Sequence, residues 1–136
     1  MDNLRSILSV AASGMFAQGE RLKVVSENVA NAESRGTTPG ADPYRRKTIS
    51  FEEVMDRVTG TSMVTIGEIG RDTSEFALEY DPAHPAANEE GFVKVSNVNT
   101  ILEMSNMREA ARSYEANMNM FEAGRKMRSQ MIDLLK

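Results

Sequence analysis

Apolar residues recur at alternating steps of four and three along both ends of this chain, and that pattern restricts its fold more than any other feature. From the N-terminus the steps fall on Leu4, Leu8, Ala11, Met15, Gln18, Leu22, Val25 and Val29, of which seven of eight are apolar. Arg5, Glu20, Arg21, Lys23 and Glu27 stay off the stripe. This is the pattern of one long helix offering a narrow seam. Gly14 and Gly19 lie inside it and each costs about 1 kcal/mol relative to Ala, which suits either close approach of another backbone or a locally weak helix. Asn28, Asn31 and Gly36 mark its end.

The C-terminal stripe runs Met104, Met107, Ala111, Tyr114, Met118, Phe121, Arg125, Arg128, Ile132 and Leu135, with eight of ten apolar. Thr100-Ile101-Leu102-Glu103 fits a capping box, so a helix is expected from Ile101 to the end of the chain. Helices of this extent measure on the order of 40 and 50 Å, against an average of about 11–12 residues for a globular helix.

The residues between them are richer in turn formers. Gly36 to Pro43 reads as a loop by its Gly and Pro content. Phe76, Leu78 and Tyr80 alternate with Glu75, Ala77 and Glu79, the period of a half-buried strand. Val64 with Ile66 and Val93 with Val95 suggest two further short strands, and Asp81-Pro-Ala-His-Pro85 is a turn. Phe51, Val54, Met55 and Val58 fit one face of a short helix, although Tyr44 to Phe51 equally fits a strand.

The expected fold is therefore mainly α with a small β-rich insert. Residues 1–35 form an N-terminal coiled-coil helix, residues 36–98 a loop and small β-hairpin-containing region, and residues 99–136 a C-terminal helix that pairs with the first. The middle is near the size at which one core becomes marginal, and it cannot also bury two seams. Long helices gain most of their stability by packing an apolar face, so the seams meet each other, further copies, or partners.

Little in the chain suggests catalysis. It has no cysteine, which removes disulfides, thiolate metal sites and thiol nucleophiles, and its one histidine disfavours a His-based metal site. His84 lies between turn residues without a positioned partner. No G-x-S-x-G and no Walker-type loop is present, and Glu52-Glu53 and Glu89-Glu90 read as solvated surface. No cofactor is expected. Twenty acidic against sixteen basic residues give a net charge of −4, so nucleic acid is not the expected partner. The run Arg45-Arg46-Lys47 reads as an exposed patch that meets an acidic neighbour. No apolar run is long enough to span a bilayer, and the first helix mixes charge signs too evenly for a membrane-surface role. The flanks of Ile7 to Ala12 argue against a cleaved signal peptide. Six of the ten methionines lie between Met104 and Met131, which fits core filling by a helix former or an adaptable interface.

Three separated motifs carry a resemblance. Ala12-Ser-Gly-Met-Phe-Ala-Gln18, with Arg21-Leu22 and Ser26-Glu-Asn-Val-Ala-Asn31, resembles the N-terminal signature of bacterial flagellar rod, hook and hook-associated axial proteins. Asn97-Val-Asn99, Glu103-Met104, Met107 and Arg112-Ser-Tyr-Glu-Ala-Asn117 resemble that family's C-terminal signature. Pro43-Tyr-Arg-Arg-Lys47, Tyr80-Asp-Pro-Ala-His-Pro85 and Glu90-Gly-Phe-Val93 are similar to a proximal-rod member. Thr37-Thr38-Pro39-Gly40 departs from the usual ending of the first signature in many relatives.

The resemblance implies a structural subunit, not an enzyme, exported unfolded by the flagellar type III apparatus without a cleaved signal. Such a subunit polymerises in the periplasm into the rod that transmits torque around the export channel. Its implied partners are copies of itself, the rod proteins FlgB, FlgF and FlgG, the rod-base adaptor FliE and the export apparatus, with no direct membrane insertion. The expected subunit interface takes in both stripes, apart from Arg125 and Arg128, together with Gly14, Asn31, Glu115 and Asn117. A type III effector or chaperone-like module that binds one carrier, and a small enzyme around His84, are the competing readings.

Overall fold

The computed structural model describes residues 2–136. Six elements follow in order: α1 (Asp2–Ala30), β1 (Lys47–Met55), β2 (Ser62–Arg71), β3 (Ala77–Tyr80), β4 (Phe92–Val95) and α2 (Thr100–Leu134). The fold is mainly helical with a β insert, as the patterning predicts. β1 pairs with β2 and β3 with β4, giving two separate two-stranded sheets.

Two compact units divide these elements. The first takes residues 1–22, 50–68 and 108–136, and the second takes residues 23–49 and 69–107.

In the first unit the α1 and α2 segments run antiparallel. Leu8 abuts Gly124, Gly14 abuts Asn117, Gly19 faces Tyr114, and Arg21 bonds Glu109 at 3.2 Å. Small residues set the separation: a Cβ added at Gly14 would stand 2.6 Å from the Asn117 amide oxygen, and one at Gly124 would stand 2.9 Å from Leu8. Gly19 is roomier, with Tyr114 at 3.9 Å, so of the two glycines singled out in the helix only Gly14 is tightly packed, and what meets it is the Asn117 side chain rather than the expected backbone. Ala11, Ala17 and Ala110, also small, are buried.

The hairpin corrects one expectation. Phe51, Val54 and Met55 lie in strand β1 rather than on a helix, and Val58 lies in the turn. Asp56 explains the outcome. Its side chain accepts the Val58 N–H at 2.8 Å, its carbonyl accepts from Gly60, and its N–H donates to Thr61, while Gly60 takes φ +68°. That Asx turn reverses the chain, and a run that fits either period is committed to pairing with β2.

In the second unit β3 and β4 are antiparallel, with Ala77 opposite Val95 and Tyr80 opposite Phe92. The last two rings meet edge to face at 5.4 Å. The connection between them is a series of turns. Asn88 accepts from the Glu90 and Phe92 N–H groups, and His84 Nδ1 accepts the Ala86 N–H at 3.0 Å, so the histidine serves as a turn acceptor. The Gly36–Pro43 loop is tied to this region by a bond from Gly40 N–H to Ala86 O.

The start of α2 also differs from expectation. Asn99 is the capping residue, its side chain accepting from the Ile101 and Leu102 N–H groups, and Thr100 is already helical. Glu103 does not fold back onto the helix start, because its carboxylate is drawn into a buried polar cluster.

Candidate assembly surfaces

That cluster draws on four distant stretches of the second unit. Asn28 is fully buried and saturates its side chain: Oδ1 accepts from Tyr44 Oη at 2.8 Å and Lys47 N–H at 2.9 Å, while Nδ2 donates to Lys47 O at 2.9 Å and Glu103 Oε2 at 3.4 Å. Glu103, 1% exposed, takes its other bond from Arg46 Nε. Arg46 also approaches Asp72 at 3.6 Å, and its N–H donates to Asn97 Oδ1 at 2.7 Å. Lys47 Nζ reaches Glu27 at 2.5 Å, and this bond holds the Glu27 carboxyl below its ordinary value. Asp72 is held low chiefly by the Ser74 N–H. A buried carboxylate and amide persist only because every polar atom finds a partner.

The basic run is therefore internal to the unit. Arg45 donates to the carbonyls of Asp72 and Ser74 and stacks over Phe76 at 4.2 Å, so Arg45-Arg46-Lys47 is a clasp rather than an open cationic patch. Sequence reading found each motif but not their convergence. The available signal was Asn28, a polar residue beside the apolar Val24 and Val25 on the buried side of a helix.

The first unit carries a different surface. Ala110, Tyr114, Asn117, Phe121 and Gly124 of α2 form its buried or half-buried side. Beside them lies a second stripe, Ala116, Met120, Ala123, Met127, Met131 and Leu134, and every member is exposed. At 100° per residue these six fall within roughly 80° of arc, so they form one apolar band along the helix. Leu134 is 86% exposed, Met120 55%, Met127 49% and Met131 40%. Ala116 and Met120 of the band also line, with Ile7, Val10, Ala11 and Asn117, an open groove of about 450 Å³. A soluble chain rarely shows so much contiguous apolar surface unless something covers it.

The comparisons with known proteins fall on these elements. Residues 8–36 match the model of the flagella basal body rod protein family, and residues 89–134 match that of the flagellar basal body rod FlgEFG protein C-terminal region. The flagellar basal-body rod protein FlgC of Agrobacterium fabrum is 49% identical over 136 residues, covering all of this chain and 98% of the relative. The chain belongs to the FlgC family of flagellar basal-body rod proteins. FlgC proteins of Bacillus subtilis, 35% identical, and Salmonella typhimurium, 34% identical, align over 95% and 96% of this chain and 96% and 97% of their own lengths.

In this FlgC-family chain the matched regions hold Asn28 at one end and Asn97 and Glu103 at the other, so the two ends supply the clasp. Of the residues singled out for the subunit interface, Leu4, Ala11, Gly14 and Val25 are buried, and Leu8, Met15, Gln18, Leu22, Val29 and Asn31 are half-buried. Asn31 donates back to Glu27 O. On α2, Met107, Tyr114, Asn117, Met118 and Phe121 are half-buried, whereas Met104, Ala111, Glu115, Ile132 and Leu135 are exposed. The face that α2 turns inward in the first unit is rotated by about 50° from the stripe read off the sequence. That rotation is why Met120, Met127, Met131 and Leu134 lie off the stripe, although the three methionines already suggested either core filling or an adaptable interface.

Among the described residues no helix is long and apolar enough to cross a membrane, and no group of three or more His, Cys, Asp and Glu side chains is placed to hold a metal ion.

Proposed function

We infer that this chain is a structural subunit of the bacterial flagellar basal-body rod, with no catalytic role, built into the proximal part of the drive shaft that transmits torque and surrounds the export channel. The observation that carries the reading is the exposed band from Ala116 to Leu134. As far as Gly124 its inward neighbour already packs on α1 within the first unit, and beyond Gly124 every side of the helix is exposed, so the band is left for another chain. A contact between a band on one copy and a different patch on the next is heterologous and propagates as a helical array, the geometry a rod requires.

Partners follow from the same reading. Copies of this chain, FlgB, FlgF and FlgG, and FliE at the rod base are the neighbours proposed for the seams at Leu4 to Val29 and Met104 to Leu135. Gly14, Glu115 and Asn117 would help fix register between helices. The chain reaches the periplasm through the flagellar type III apparatus without a cleaved signal, and its seams become fully covered only on assembly.

Deletion of the gene, swimming assays, electron microscopy of isolated basal bodies and plasmid complementation test the proposal. Loss of rod and filament, restored by the intact gene, is the expected result. Normal flagella in the deletion strain, with no second copy of the gene, would overturn it and favour a module that binds a single carrier protein.

A further inference from the structure

We propose that the exposed methionine band of α2 is an oxidation site that controls whether a subunit can assemble. The inference rests on the rod reading above and adds a modification to the surface it identifies.

With no cysteine in the chain, the thioethers are its main targets for two-electron oxidants. Their accessibility is uneven. Met120, Met127 and Met131 are 55%, 49% and 40% exposed and share one side of α2, whereas Met15, Met63, Met107 and Met118 are partly covered. Met55 and Met104 are exposed outside the band.

The reaction with hydrogen peroxide is simple. The thioether sulfur attacks one peroxide oxygen, the S–O bond forms as the O–O bond breaks, and the departing hydroxide takes the proton carried by the transferred oxygen to leave as water. Each sulfur loses two electrons to become a sulfoxide, and the peroxide is reduced by the same two. Three flexible apolar side chains thus become polar ones at seven- and four-residue spacing along the band.

Two consequences follow from where the sulfurs stand. They are exposed already, so oxidation leaves the packing of Ala110, Asn117 and Gly124 against α1 undisturbed and the subunit stays folded. An intersubunit contact must instead desolvate the new sulfoxide oxygens without built-in donors, so assembly is the step that fails. A subunit already in the rod has its band covered and is protected. The switch therefore acts on newly exported subunits.

The test has two arms. Purified full-length chain is treated with dilute hydrogen peroxide and mapped by peptide mass spectrometry, with circular dichroism in parallel. Met120, Met127 and Met131 should oxidise at least about fivefold faster than Met15, Met63, Met107 and Met118 while helicity holds. Uniform oxidation, or loss of helicity in step with sulfoxide formation, would overturn the proposal.

In the second arm a deletion strain expresses the chain from an inducible promoter during sublethal peroxide exposure. The wild type should lose most of its gain in motility, the triple variant M120L/M127L/M131L should keep it, and M120Q/M127Q/M131Q should fail without peroxide. Equal inhibition of wild type and the leucine variant, or full motility of the glutamine variant, would sink the idea. Failure of untreated wild type to restore motility counts instead against the rod reading, and the mass map still judges the oxidation site by itself.

Discussion

Placing charge on the outer band of α2 should abolish assembly while leaving the free subunit intact. Consider Met120→Glu combined with Met127→Glu. Fully burying a methionine side chain is worth about 1.5–3 kcal/mol, and these two still expose about half their surface, so covering both contributes roughly 1.5–3 kcal/mol to a contact. Glutamate forfeits that gain and adds the cost of desolvating an unpaired carboxylate, several kcal/mol per group. At 1.4 kcal/mol per factor of ten, the contact weakens by well over a hundredfold. In the free chain the same positions face water and glutamate is a good helix former, so stability should change by no more than about 0.5 kcal/mol. The assay is complementation of the deletion strain, with swimming halos and immunoblots of purified basal bodies, beside urea denaturation of the isolated variant. A variant that is stable yet missing from basal bodies is the expected result. Wild-type motility would refute the argument, and an unfolded variant would show that the band belongs to the subunit's own core.

Other perturbations follow from the buried clasp and the close helix contacts. Asn28→Ala removes four hydrogen bonds, made with Tyr44 Oη, Lys47 N–H, Lys47 O and one Glu103 oxygen, so urea denaturation should show a loss of about 2–4 kcal/mol; a change under 1 kcal/mol would mean that water replaces the amide. Gly14→Ala gains about 1 kcal/mol of helix propensity but drives a methyl group into Asn117, and overpacking of about 1–3 kcal/mol should cancel or exceed the gain. Adding Asn117→Ala to that variant should recover stability relative to Gly14→Ala alone, and no recovery would rule out the clash. Acid should also destabilise the fold. Glu27, Asp56 and Asp72 are held below their ordinary values of 4.5, 3.8 and 3.8, by Lys47, the Val58 N–H and the Ser74 N–H respectively. Their folded forms bind protons less readily than the unfolded chain does. The stability they supply is therefore complete above about pH 5 and declines as pH drops through the carboxylate range towards the folded values. A midpoint in urea that stays constant from pH 6 to pH 3 would contradict the sign.

Much of the fold was legible because helix periodicity depends on local spacing. The stripe from Leu4 to Val29 predicted α1, and every one of its residues is buried or half-buried. The alternation of Phe76, Leu78 and Tyr80 located β3, with Phe76 just before it as the partner of Arg45, but the expected half-buried face is absent because all four strand residues are exposed. The hairpin was harder to read: Phe51, Val54 and Met55 fit a helix face, and only the Asx turn at Asp56 commits the segment to a strand. Thr100 and Glu103 have capping-box spacing, but Asn28 and Arg46, distant in sequence, offer Glu103 better partners than its own helix start does. The side of α2 that carries the second band was undecided for a different reason. Leu, Met, Ala and Phe lie on more than one side of that helix, so a single period cannot say which side meets α1. The structure settles it through Ala110 and Gly124, whose small size permits the close approach.

Cryo-electron microscopy of basal bodies purified from cells expressing this chain would test the central claim most directly, at a resolution that shows side chains. The account predicts rod density matching this chain, with Met120, Met127, Met131 and Leu134 of each copy packed against a neighbouring subunit. Basal bodies in which the chain is absent from the rod, or in which those four residues face solvent in every copy, would contradict it.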